Sequence, residues 1–120
     1  MDLRFDVRPG YLRVVARRRE TIEDTRFAHQ RLLEEMARHK VARAMACLYD
    51  SRPIFKVESY NLSAVFDRLA AIEGLRMALV SDTAEIFGSH QYVQLLAQQR
   101  GLALRAFRDE ASAEAWLLDH

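Results

Sequence analysis

The chain reads as an α/β domain with a five-stranded mixed, mostly parallel sheet and four helices, in the order β-β-α-β-α-β-α-β-α. Three observations predict this. Strand-length apolar runs alternate with segments of helical period, which calls for parallel strands joined by crossover helices. Two of those runs, Ala44–Tyr49 and Met77–Val80, have no polar face and so belong at the centre of a sheet covered on both sides. The chain also opens with a hairpin, which makes the N-terminal edge strand antiparallel. At 120 residues and 50% hydrophobic content, residues 1–120 are expected to form one domain with a core that needs no metal or disulfide staple.

Each element has its own warrant. Leu3, Phe5 and Val7 alternate with Asp2, Arg4, Asp6 and Arg8, the period of a half-buried strand. Pro9-Gly10 turns the chain, and Tyr11–Arg17 returns beside it. Thr21 is placed to cap a helix whose apolar face carries Ile22, His29, Leu32, Leu33 and Met36 and whose end lies near His39-Lys40. After Ala44–Tyr49, a loop from Asp50 to Glu58 leads to a helix bearing Leu62, Val65, Phe66, Leu69 and Ile72, which Gly74 stops. Met77–Val80 is followed by Ser81-Asp82-Thr83, where Asp82 is the expected cap of a helix presenting Ile86, Val93, Leu96 and Ala97. Leu102–Phe107 alternates and should be the second edge. Asp109 should cap a short last helix that buries Ala113, Trp116 and Leu117, with Trp116 as its anchor.

This order at this length resembles the STAS superfamily, typified by bacterial anti-sigma-factor antagonists, and in particular the small SpoIIAA-like proteins of the STAS/SEC14 group. The resemblance is carried by Pro9-Gly10-Tyr11-Leu12, by the stretch from Asp50 to Glu58, and by Phe107-Arg108-Asp109-Glu110-Ala111 through Ala115-Trp116-Leu117. It implies a STAS-like fold and a non-enzymatic regulatory or protein-interaction module. The antagonists' phosphorylatable serine has no counterpart: Arg52-Pro53 follows Asp50-Ser51, and the next helix begins Glu58-Ser59-Tyr60-Asn61. The resemblance therefore transfers no phosphorylation site.

Composition narrows the partners. Eighteen basic residues, sixteen of them Arg, stand against seventeen acidic ones for a net charge of +1, so nothing draws the chain as a whole to nucleic acid. No apolar run is long enough for a membrane span, Met1-Asp2-Leu3-Arg4 does not begin a signal peptide, and one cysteine forms no internal disulfide, so a cytoplasmic location is expected. His29, His39, His90 and His120 lack metal-ligand spacing, and the four glycines make no phosphate-cradling loop, so neither metal nor cofactor is expected. Cys47 lies inside the most apolar strand, where a thiol stays protonated. His29 and His90 project onto the apolar faces of their helices. That position suits a satisfied core histidine, or a group reaching into a pocket.

The expected binding site is the edge formed by the carboxyl ends of the strands, where loops and helix N-termini meet. Its candidates are Asp50, Ser51, Arg52, Phe55 and Lys56 from one loop and Ser81, Asp82 and Thr83 from the other. Arg52 and Lys56 supply positive charge, and Ile54, Phe55 and Val57 supply apolar contact. Two partners fit such a loop: another protein, or a small apolar or anionic, lipid-like molecule. A pocket of about 300 Å³ or more would favour the small molecule, and an exposed apolar patch the protein. Homo-oligomerisation is left open.

Overall fold

The computed structural model describes residues 1–54 and 61–119; the loop positions Phe55, Lys56, Val57 and Glu58 lie outside the described residues. Among the described residues the elements are β1 (Asp2–Arg8), β2 (Tyr11–Arg17), α1 (Ile22–His39), β3 (Arg43–Tyr49), α2 (Leu62–Ala70), β4 (Arg76–Ser81), α3 (Ala84–Gln98), β5 (Leu104–Phe107) and α4 (Glu110–Leu118). The sheet order is β1-β2-β3-β4-β5, with β1 antiparallel to β2 and every other pair parallel. The expected fold class is therefore observed, with β3 and β4 inside the sheet and β1 and β5 at its edges.

Strand order follows chain order, and the helices divide unequally between the faces. Leu12, Val14, Ala44, Met77 and Leu104 turn toward one face, where they meet Leu32, Leu33 and Met36 of α1, Phe66 and Leu69 of α2, and Val93 and Ala97 of α3. Tyr11, Val15, Met45, Cys47, Ala78 and Val80 turn toward the other, which Ala113 and Leu117 of α4 cover. The sheet never reverses its winding. Among the described residues the strand order shows no topological switch point.

The helix starts are set by side-chain oxygens. Thr21 accepts from Asp24 N–H at 3.0 Å and Asp109 from Ser112 N–H at 2.7 Å, as the sequence predicts. At α3 the cap is Thr83, whose hydroxyl accepts from Ile86 N–H at 3.3 Å, rather than Asp82. The Asp82 carboxylate is drawn away by the Asp50 N–H at 3.1 Å. The last helix also departs from expectation: Ala113 and Leu117 are fully buried, whereas Trp116 is partly exposed. Trp116 packs against Phe107 with ring centroids 5.7 Å apart, under the Arg76 guanidinium. Gly10 is required on two counts. Its φ of +88° suits the turn, and a Cβ there would meet Leu118 at 2.8 Å. Among the described residues no helix is long and apolar enough to cross a membrane.

Candidate functional site

The ends of β2, β3 and β4 are tied together before any ligand is considered. Arg18 and Asp50 both adopt left-handed backbone, with φ of 57° and 45°, and Arg18 N–H donates to Asp50 O at 3.0 Å. Ser51 Oγ donates to Tyr49 O at 2.8 Å and accepts from Arg19 N–H at 3.1 Å, while Arg52 N–H donates to Arg19 O at 3.1 Å. The Asp50–Asp82 bond joins this group to the β4 turn. The structure thus brings Asp50, Ser51 and Arg52 together with Asp82 and Thr83. Ser81 is fully buried, its hydroxyl near Thr83 O at 3.5 Å. Phe55 and Lys56 fall outside the described residues.

The left-handed turn at Arg18 has a consequence. Strict alternation would place Arg19 on the α4 face with Arg13 and Arg17. Instead Arg19 is 6% exposed and enters the interior on the other face, where its guanidinium donates to Arg52 O at 2.6 Å. A non-glycine residue in this backbone region costs on the order of 1 kcal/mol, so the surroundings must hold it there.

Arg19 lines a cavity of about 140 Å³ between the sheet and the helices. Leu32, Phe66, Leu79, Ile86 and Val93 form much of its wall, and Leu48 and Pro53 bring it up to the Asp50–Arg52 loop. His29 from α1 and His90 from α3 line it as well. Burial pushes both imidazoles down to about 4, and the Arg19 charge adds to the effect. Both rings are consequently neutral at pH 7, each with one N–H donor and one acceptor nitrogen. His90 Nδ1 is buried without a hydrogen-bond partner among the described residues. An unbonded nitrogen beside an apolar void is costly, and a ligand that bonds it removes the cost.

The opposite face is polar in a different way. Glu110 of α4 takes a two-pronged hydrogen bond from Arg13 at 2.7 and 2.9 Å and a third from Tyr49 Oη at 2.6 Å. The Arg13 bond holds the Glu110 carboxyl below its usual range. Tyr11 Oη donates to Glu114 at 2.6 Å, and burial together with that bond pushes the Tyr11 phenol up to about 12. Cys47 lies beneath, its thiol pushed by burial up to about 11, hence protonated as the sequence suggests. These groups bind each other and fasten α4.

Helical periodicity places His29 and His90 on inward faces, as the structure does. Arg19 carried no such signal, because a strand's alternation says nothing about a left-handed residue just beyond its end. No family model matches the chain, and neither the curated proteins nor the solved structures give a match.

Proposed function

We propose that the chain is a small-molecule-binding module. Its ligand occupies the cavity beneath α1, α2 and α3 and carries a compact hydrocarbon body with an acidic or hydrogen-bonding head. One observation carries this reading: a chiefly apolar void into which Arg19, His29 and His90 all face. The size decides the ligand class. At about 140 Å³ the void falls short of the roughly 300 Å³ expected of a small-molecule pocket, so only a compact ligand fits, near the volume that admits a benzene ring. A guanidinium and two neutral imidazoles suit a carboxylate or phenol head.

A second reading rests on the exposed side chains of the same helical layer, Phe27 at 54%, Tyr92 at 46% and Leu95 at 52%. They fit the regulatory interaction module that the SpoIIAA-like resemblance implies. The readings join if ligand occupancy sets how the helices are presented to a partner.

The test is an NMR titration that follows the His90 imidazole nitrogens with benzoate and, as a neutral comparison, toluene. Benzoate should shift them and bind more tightly than toluene. His90→Phe, which keeps the ring shape, should erase that preference. If neither probe binds at millimolar concentration, the cavity is packing slack and the reading fails.

A further inference from the structure

The two edges of the sheet are protected unequally. β5 has four residues, and its Ala106 N–H is taken by the Gln94 side chain at 2.8 Å. β1 has seven residues without proline or lysine. A two-residue turn makes Arg8 and Tyr11 a hydrogen-bonded pair, so along β1 the alternation leaves the N–H and C=O groups of Leu3, Phe5 and Val7 facing outward. Among the described residues nothing bonds these outward amides. Val7 is 56% exposed, and Leu3 and Phe5 are partly exposed. Such an edge ordinarily invites pairing.

The residues on β1 say what pairs with it. We infer that β1 is the two-fold interface of a homodimer, in which two copies join through antiparallel β1 strands into one ten-stranded sheet. A two-fold axis at Phe5 sets Asp2 opposite the second copy's Arg8, Arg4 opposite its Asp6, and Leu3 opposite its Val7, with Phe5 facing Phe5. All four charged residues lie on one face and meet opposite charges; all three apolar residues lie on the other and meet apolar ones. The outward amides of Leu3, Phe5 and Val7 supply the new ladder.

The same charges reject the neighbouring registers. A shift of two residues one way places Arg4 against Arg4 and Asp2 against Asp6. A shift the other way places Asp6 against Asp6 and Arg4 against Arg8. Parallel pairing in register opposes like charges throughout. Charges that blunt the edge against foreign strands therefore select one arrangement of a second copy. The existing Arg4–Asp2 and Arg8–Asp6 contacts along the strand, at 3.3 and 2.6 Å, are exposed and can share their partners across the axis. An edge-strand contact of this length is modest in area, so the dimer should weaken with salt and dilution.

Sedimentation velocity tests this up to about 100 µM, where a micromolar dimer is visible. The wild-type chain should sediment at twice 13.9 kDa. Arg4→Glu alone, or Asp6→Lys alone, should raise the dissociation constant at least about tenfold by setting like charges face to face twice. The double variant Arg4→Glu with Asp6→Lys should restore association. Val7→Pro removes one outward amide that the β1–β2 ladder does not use, and it should leave a folded monomer. Circular dichroism confirms folding; should Val7→Pro fail to fold, the charge series decides alone. A wild-type monomer throughout this range overturns the proposal. So does a dimer indifferent to the single reversals, or a folded double variant that stays monomeric.

Discussion

The two faces of the sheet are held in different ways. The α4 face is closed by directional contacts. Glu110 and Glu114 grip Arg13, Tyr49 and Tyr11, while Arg43 and Arg76 donate to the carbonyls of Leu117 and Trp116 at the C-terminus of α4. Trp116 O also accepts from the Asp119 N–H at 3.4 Å, and cations are favoured at a helix C-terminus, so the two arginines complete the satisfaction of these carbonyls and complement the dipole. The face covered by α1, α2 and α3 depends more on apolar packing, and that packing is incomplete. A nine-residue helix is docked by charge on one face, whereas the three helices on the other leave a void with two histidines in its wall. The polar groups of the α4 face satisfy each other, whereas His90 on the other face has a nitrogen to offer. A ligand is therefore expected on the helical face.

The largest expected effect concerns pH. Each imidazole titrates near 4 in the folded chain, against about 6.5 when unfolded. Between those values the unfolded chain binds more protons. Stability is thus full above about pH 6.5, declines as the pH falls toward 4, and levels off below it. The gap is worth roughly 3 kcal/mol for each ring, and repulsion between the two protonated rings would widen it for the pair. Urea unfolding at a series of pH values should show the decline beginning above pH 5, before most carboxylates titrate, and His90→Phe should remove about half of it. A flat profile down to about pH 5 would mean that water reaches both rings, and the contrast between the faces would weaken.

Next in size is the anchor of α4. Leu117 is wholly buried, so Leu117→Ala should cost about 3 kcal/mol in the same assay. Trp116→Ala should cost less, roughly 2 kcal/mol, because the indole is partly exposed and its ring contacts are with Phe107 and Arg76. The reverse order would make Trp116 the anchor after all. Glu110→Gln comes after both. It breaks the two-pronged bond from Arg13, but the carboxylate is 36% exposed, so solvent screening should hold the loss to about 1 kcal/mol.

What could be read from the sequence follows from period. Alternation identified β1, and uninterrupted apolar runs identified β3 and β4 as interior strands, because a period of two or of 3.6 is imposed directly by burial. Thr21 and Asp109 were legible as caps because a cap acts on a backbone amide three residues away. Asp82 was not, because its competing partner, Asp50 N–H, is 32 residues distant and visible only once the strands are paired. The cavity was illegible for the same kind of reason. His29 and His90 could each be placed on an inward face, but helical period gives no distance between α1 and α3. Arg19 depends on a backbone twist at Arg18 that no local pattern announces.

The smallest expected change in stability is the most informative about function. Ala46 lies on β3 in the wall of the cavity, opposite the helices. Ala46→Leu adds three carbons on the cavity side. Where a void exists to receive them, the added apolar contact offsets any strain, and stability should change by less than about 1 kcal/mol in either direction. In a closely packed core the same substitution would be costly, by about 1–3 kcal/mol. The urea midpoint therefore reports whether the void is real. Benzoate binding reports separately whether it is used: a tolerated Ala46→Leu should abolish the His90 shifts that benzoate induces. If it is tolerated and benzoate still binds, the ligand sits outside this cavity, and the Asp50–Arg52 loop with Asp82 becomes the place to look.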